Sequence, residues 1–274
     1  MKQSTRQRKA TKTPGLVLTT SNDGRPYAKI NILTDWTIPG DVHLPFHDPV
    51  ALGKCLSYPN SSTLDGGAGL FITGDLIDYY WLSSWPKDGK TVLSAGHKAT
   101  RNALVDFVAT VEDNYEYVVY GCGNHEERLT SMCRKFPGFD GEWYWLFQDV
   151  LPASWYKLPH AYRAELPQKT PNGLPIVIEH GDKALYGGVP SADKLATGYP
   201  GQCTIIGHNH RVEQVAKTKW KQGVATTSLA FTCGHLSDIV KNNYAANPNW
   251  QQGYTTVSVD GQVRNTILIG GKEI

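Results

Sequence analysis

Five short apolar runs in this chain each stop close to a turn that carries Asp, Asn or His. Uninterrupted apolar runs of this length are the mark of strands covered on both faces. Residues 29–34 lead toward Gly40-Asp41-Val42-His43, and Gly69 to Thr73 lead to Gly74-Asp75. Tyr117 to Tyr120 precede Gly121-Cys122-Gly123-Asn124-His125. Pro175 to Ile178 precede Glu179-His180-Gly181, and Cys203 to Ile206 precede Gly207-His208-Asn209-His210. Between the runs, Ala99, Ala103, Leu104, Phe107, Val108 and Val111 recur at helical spacing and predict a helix over 97–113. Asp48 to Tyr58 reads as a short helix with Asp48 as its cap. Residues 61–69 read as a Ser/Gly loop. The alternation at Tyr254 to Val259 predicts antiparallel strands toward the C-terminus. Strands alternating with helices predict an α/β layered fold.

The chain has 274 residues, enough for one large domain. Hydrophobic residues at 40% and charged residues at 19% exclude a coiled coil, a collagen and a disordered chain. No apolar stretch has the length of a membrane span, and Gly15 to Leu18 is too short for a secretory leader. Five cysteines with no C-x-x-C spacing argue against a disulfide framework and against a structural zinc site, so a reducing, cytoplasmic setting is expected. Twenty-seven basic against 25 acidic residues gives a net charge of only +2. The basic residues Lys2, Arg6, Arg8, Lys9 and Lys12 come with no acid among the first 12, so residues 1–27 are expected to form a solvated tail and 28–274 the folded domain. Residues 134–168 hold Phe136, Phe139, Trp143, Tyr144, Trp145, Phe147, Trp155, Tyr156 and Tyr162, and read as an aromatic insertion that fills a small core or covers the site as a lid.

The strand ends carry the chemistry. In open α/β sheets, ligands bind at the carboxyl ends of strands. Here those ends bring Asp41 and His43, Asp75 and Asp78, Asn124 and His125, His180, and His208 and His210. Carboxylate, imidazole and amide oxygen suit Mn, Fe, Zn or Ni. The period of two in Asp41-Val42-His43 and in His208-Asn209-His210 puts both side chains on one face of an extended segment. Clustered carboxylates repel one another unless cations are present. Two divalent metals roughly 3.5–4 Å apart are suited to in-line displacement at phosphorus.

The order D-x-H (Asp41, His43), G-D-x-x-D (Gly74, Asp75, Asp78), G-N-H-E (Gly123 to Glu126), H-G (His180, Gly181) and G-H-x-H (Gly207, His208, His210) resembles the five motifs of the calcineurin-like metallophosphoesterases. The resemblance spans residues 41–210. It implies a four-layered α/β/β/α sandwich. It also implies a first metal on Asp41, His43 and His210, a second on Asn124, His180 and His208, and Asp75 bridging the two. Manganese is the expected ion, with Fe, Zn or Ni as alternatives. The resemblance places His125 beside the metals, stabilising charge on the phosphoryl group or protonating the leaving oxygen, with Asp78 orienting it. Arg128 is a candidate contact to a substrate phosphate. Glu126 and Glu127 suit the first turn of a helix. His47, Asp182, His97, His160 and His235 are read as turn, surface or core residues.

The motifs imply phosphoester hydrolysis without naming a substrate. Protein Ser/Thr phosphatases carry Arg after G-D-x-x-D, and this chain has Tyr79 there. The pattern looks most like small phosphoesterases of bacteria and their phages, for which the host cytoplasm is the expected location. A phosphodiesterase acting on a nucleotide or a single-stranded nucleic acid is expected, since aromatic side chains stack bases and a duplex-binding nuclease calls for more than +2 of charge. The alternatives are a broad phosphomonoesterase and a metal-stabilised nucleic-acid-binding module.

Overall fold

The computed structural model describes residues 15–58, 67–83, 96–139, 149–182, 190–241 and 249–274. Its strands are β1 (Leu16–Thr20), β2 (Pro26–Ile30), β3 (Asp35–Pro39), β4 (Ala68–Ile72), β5 (Tyr117–Gly121), β6 (Tyr156–Leu158), β7 (Arg163–Lys169), β8 (Pro175–Glu179), β9 (Cys203–Ile206), β10 (Val212–Lys221), β11 (Val224–Cys233), β12 (Gln252–Val257), β13 (Val263–Ile269) and β14 (Lys272–Glu273). The α-helices are α1 (Pro49–Leu56), α2 (His97–Asn114), α3 (Asn124–Lys135) and α4 (Ala192–Gly198). The fold is mixed α/β, with two seven-stranded mixed sheets ordered β1-β2-β7-β8-β9-β11-β10 and β14-β13-β12-β3-β4-β5-β6.

Side-chain alternation explains why the central strands are apolar throughout. Along β4, Leu70 and Ile72 pack with Leu52, Leu104 and Phe107 of α1 and α2. Phe71 points the other way and packs with Ile176 and Ile178 of β8 and Ile205 of β9. Each such strand therefore has no solvated face, and polar residues are left only for its ends. A third core sets Leu195 and Ala196 of α4 against Ile206 and Ala230. Helix α1 begins where the sequence predicts, with Asp48 Oδ1 accepting from the Val50 and Ala51 amides at 2.9 and 3.1 Å. Helix α2 matches the expected 97–113 to within one residue.

Two expectations are corrected. The strand that delivers Asp41 is β3, not residues 29–34. Residues 26–30 belong to the other sheet, and the chain crosses between sheets over Asn31 to Thr34. The tail expected to reach residue 27 ends earlier, because Leu16–Thr20 pairs antiparallel with Pro26–Ile30. Residues 1–14 lie outside the described residues. The aromatic segment is largely scaffold where it is described. Trp155 and Tyr162 are buried in the two main cores, β6 pairs with β5, and β7 pairs with β2 and β8. Residues 140–148, including Trp143, Tyr144, Trp145 and Phe147, lie outside the described residues. So do residues 61–66 of the expected Ser/Gly loop. Among the described residues, no helix is long and apolar enough to cross a membrane. All five cysteines are free, and burial pushes the Cys203 and Cys233 thiols up to about 12.

Candidate metal centre

The carboxyl ends of β3, β4 and β5 in one sheet meet those of β8 and β9 in the other. Asp41 follows β3 and is fully buried. Its Oδ2 accepts from the His208 amide at 2.9 Å and lies 3.1 Å from His210 Nε2. His43 Nε2 is 3.1 Å from His210 Nε2. Asp41, His43 and His210 thus converge as one group. A second group is Asp75, His180 and His208, and a third, sharing His43 with the first, is His43, Asp78 and His125. In the second, His180 Nε2 lies 3.4 Å from Asp75 Oδ2 and 2.9 Å from Asn124 Oδ1.

These separations test the fit of a cation. Nitrogen and oxygen ligands each about 2.1 Å from one ion, at octahedral or tetrahedral angles, stand roughly 3.0–3.4 Å from one another. The Asp41–His210, His43–His210 and Asp75–His180 pairs, at 3.1, 3.1 and 3.4 Å, stand at that spacing already. Asp41 Oδ1 is buried with no hydrogen-bond partner among the described residues, an omission that a cation repairs. Three buried aspartates, Asp41, Asp75 and Asp78, also share a small volume, which calls for positive charge nearby. The donor set therefore fits divalent ions.

Backbone strain concentrates at the same residues. Seven non-glycine residues have positive φ among the described residues, and four are His43 (54°), Asp75 (49°), His208 (63°) and His210 (57°). Each costs of order 1 kcal/mol or more, and such strain collects at functional sites. Close approach adds to it. A Cβ on Gly123 would sit 2.2 Å from Asp75 Oδ1. Gly74, at φ 136°, would place one 2.6 Å from His180 Nδ1. Only glycine lets these turns nest.

The Asp75 loop is held by the start of α3. The His125 amide, in the first turn, donates to Asp75 Oδ1 at 2.9 Å, so the helix N-terminus faces a carboxylate. Glu126 is fully buried. Its Oε2 accepts from the Asp75 and Gly123 amides, both at 2.9 Å, and its Oε1 from the Ile77 amide at 3.0 Å. Sequence reasoning made Glu126 a first-turn acid. The structure makes it the clamp between two motif loops.

Asp78 and His125 sit together with a difference of detail. Asp78 Oδ2 is 2.9 Å from His43 Nδ1 and 3.5 Å from His125 Nδ1. The closer partner of His125 Nδ1 is the Asp78 carbonyl, at 2.7 Å. A carbonyl only accepts, so Nδ1 carries the proton and Nε2 is the free acceptor. Arg128 Nη2 donates to that Nε2 at 2.9 Å, and Nη1 to the Asp78 carbonyl at 3.1 Å. Burial, with some help from His43 and Arg128, outweighs the Asp75 and Asp78 carboxylates and lowers His125 to about 4. The opposite holds for two candidate ligands. Burial resists charge on His43, but Asp78, Asp75 and Asp41 raise it to about 9. Asp75 and Asp41 likewise outweigh burial at His180 and raise it to about 10.

Two features escaped the sequence. A sixth strand end, that of β11, brings His235 beside Asp41, with a parallel bridge between them. His235 is fully buried, its Nδ1 lies 2.7 Å from Ser237 Oγ, and its ring centroid is 5.4 Å from that of His210. Gly234-His235 after an apolar strand is the signal that could have found it. His160 Nε2 lies 2.6 Å from Asp182 Oδ2, two residues beyond His180. His97 instead packs against Trp81, and His47 bridges to Ser237 through the main chain.

No family model matches the chain. It is 26% identical over 244 residues to the "Gene 54 protein" of Mycobacterium phage L5, an alignment covering 81% of this chain and 88% of that protein. The chain is thus similar to a phage protein and carries buried His/Asp groups suited to metal ions.

Proposed function

We propose that the chain is a two-metal phosphoesterase, and specifically a phosphodiesterase acting on a nucleotide or a single-stranded nucleic acid. The observation that carries the reading is the convergence of the Asp41/His43/His210 and Asp75/His180/His208 groups, two of the three candidate groups, with His125 held against Asp75. Asp41, His43 and His210 would hold one ion. Asn124, His180 and His208 would hold the other, and Asp75 would bridge. Bound divalent ions, manganese or else Fe, Zn or Ni, supply Lewis acidity toward phosphoryl oxygens and lower the pKa of water.

The chain's own groups do the rest. His125 keeps its proton on Nδ1 against the Asp78 carbonyl, and its Nε2, which accepts from Arg128, is the nitrogen that would take and return a proton once Arg128 turns to a phosphoryl oxygen. Arg128, half-buried at that nitrogen, is a fixed cation for a phosphoryl oxygen. Tyr79 is fully buried in the helix-side core, so the position of a protein-phosphatase arginine clamp contributes nothing to phosphate binding. The succession of cores, α1 to α3 on one sheet, sheet on sheet, and α4 on the other, supports a four-layered α/β/β/α sandwich. Similarity to a phage protein supports a role in a host cytoplasm.

The test is hydrolysis of bis(p-nitrophenyl) phosphate and p-nitrophenyl phosphate side by side, with Mn, Ni, Mg or Zn restored after chelation. Metal-dependent cleavage of the bis ester is expected. Cleavage of the mono ester alone would replace the proposal with a phosphatase. Silence on both, with binding to nucleic acid, would replace it with a metal-stabilised binding module.

A further inference from the structure

The hairpin β10–β11 runs past the sheet that carries it. Strand β9 pairs with β11 only over Leu229 to Thr232, whereas the hairpin register continues from Ser228 to Val224 against Lys217 to Lys221. Gln222 and Gly223 close it with positive φ at both positions, 51° and 79°, a turn whose twist matches the strands. Strand β10 is the edge of its sheet.

The protruding part has a particular composition. From Gln214 to Ser237 the chain carries Lys217, Lys219 and Lys221 and no acid. Lys217 is neutralised by Asp193, with Nζ 2.6 Å from Oδ1. Lys219 Nζ donates to the Thr197 carbonyl at 3.0 Å and meets no carboxylate among the described residues. Lys221 is exposed. Trp220, between them and facing the other side of the ribbon, is 73% exposed. Its cross-strand neighbour is Ala225, and the next pair on its face is Thr218 and Thr227. With only small residues around it, the indole face is open. Lysines on an edge strand are explained by protection against sheet pairing. An open tryptophan is not, because it adds the apolar surface that such protection avoids.

We propose that this ribbon is a grip for single-stranded nucleic acid, with Trp220 stacking a base and Lys219 and Lys221 meeting phosphates. A strand crossing the edge of β10 reaches both faces, the arrangement of basic and aromatic groups that binds single strands without sequence preference. The grip is distinct from the metal centre. Cys233, beside His235, and Val224 are nine strand residues apart, roughly 30 Å. The ribbon therefore acts on long chains and leaves small phosphoesters unaffected.

The experiment measures anisotropy of fluorescein-labelled dT20 and of a 20-base-pair duplex with the full chain, across a salt series. Trp220→Ala is expected to weaken dT20 binding roughly tenfold. The double variant Lys219→Ala/Lys221→Ala is expected to reduce the slope of log affinity against log salt by about 1.4, at roughly 0.7 for each phosphate no longer neutralised. Hydrolysis of bis(p-nitrophenyl) phosphate by both variants stays at the wild-type level. Its presence or absence judges the phosphoesterase reading separately from the grip. Unchanged dT20 affinity and salt slope in both variants would overturn the grip, as would stronger binding of the duplex than of dT20. A wild-type dimer in sedimentation that Trp220→Ala renders monomeric, without loss of dT20 binding, would assign the ribbon to a second copy instead.

Discussion

Glu126 is where fold and metal centre depend on one side chain, and Glu126→Gln tests that dependence. The carboxylate takes three buried backbone amides, from Asp75, Ile77 and Gly123. Glutamine has one acceptor oxygen. Turned to keep Asp75 and Gly123, it points its NH2 group at the Ile77 amide, donor against donor. One buried N–H then goes unsatisfied, at a cost of about 1–3 kcal/mol. The two remaining bonds lose their charge assistance, which roughly halves them and costs about 1 kcal/mol each. Relief acts against this: burial, with Asp75 nearby, pushes the Glu126 carboxyl up, and a neutral amide escapes that penalty. A net loss of about 2 kcal/mol is expected, some 4–8 °C in melting temperature for a chain of this size. Because Asp75 is the residue displaced, metal affinity falls about 10–100-fold. Both are read on chelator-treated protein, by thermal unfolding and by metal titration against a competing chelator. Glu127→Gln is the control, since Glu127 pairs with the exposed Arg134, and it should stay within about 0.5 kcal/mol. Equal stability and metal affinity in Glu126→Gln and Glu127→Gln would refute the clamp.

Further predictions address the site directly. Asp75→Asn should abolish turnover and lower the metal content measured by elemental analysis. His125→Ala should lose about 10²–10⁴ in rate while keeping its metals; near-wild-type rates would remove His125 from the reaction. Gly123→Ala should fold poorly or lose metal, since its Cβ would meet Asp75 Oδ1 at 2.2 Å. The raised pKa values of His43, about 9, and His180, about 10, give a sign for pH dependence. Both lie above the ordinary 6.5, so in metal-free protein their stabilisation is complete below pH 6.5 and is lost as pH rises to about 9 for His43 and about 10 for His180. The melting temperature of chelated protein should fall over that interval. Metal binding near pH 7 should release protons, read as a buffer-dependent heat in calorimetry; a heat independent of the buffer would contradict this.

Much of the site was legible because ligand chemistry follows strand ends. Asp75, Asn124, His180 and His208 each stand within a few residues of an apolar run that reads plainly as a buried strand. Asp48 was legible as a cap because Ser, Thr, Asp or Asn before an apolar helix has a local physical reason. Glu126 was not legible as a clamp, because its partners Asp75 and Ile77 lie about fifty residues away in sequence. The pairing of Arg128 with His125 escaped for a similar reason. An i,i+3 spacing brings the two onto one helix face, but the Asp78 carbonyl that both engage comes from another loop. His235 was passed over although Gly234-His235 follows an apolar run, because the run alone does not show that its end adjoins Asp41, nearly two hundred residues earlier.

The sequence alone picked out β4, β5, β8, β9, α1 and α2 and the polar residues beyond those strands, because these depend on periodicity and short-range chemistry, but it missed β3 and read a strand at residues 29–34 instead. It did not determine which sheet a strand joins. Residues 26–30 and Asp35–Pro39 are neighbours in the chain yet sit in different sheets, since strand pairing is a long-range choice decided by the packing of both faces. Only the tertiary structure brought the carboxyl ends of two sheets together. That meeting sets Asp41 against His208 and His210 and bends four candidate ligands into a backbone conformation that no local sequence preference would choose.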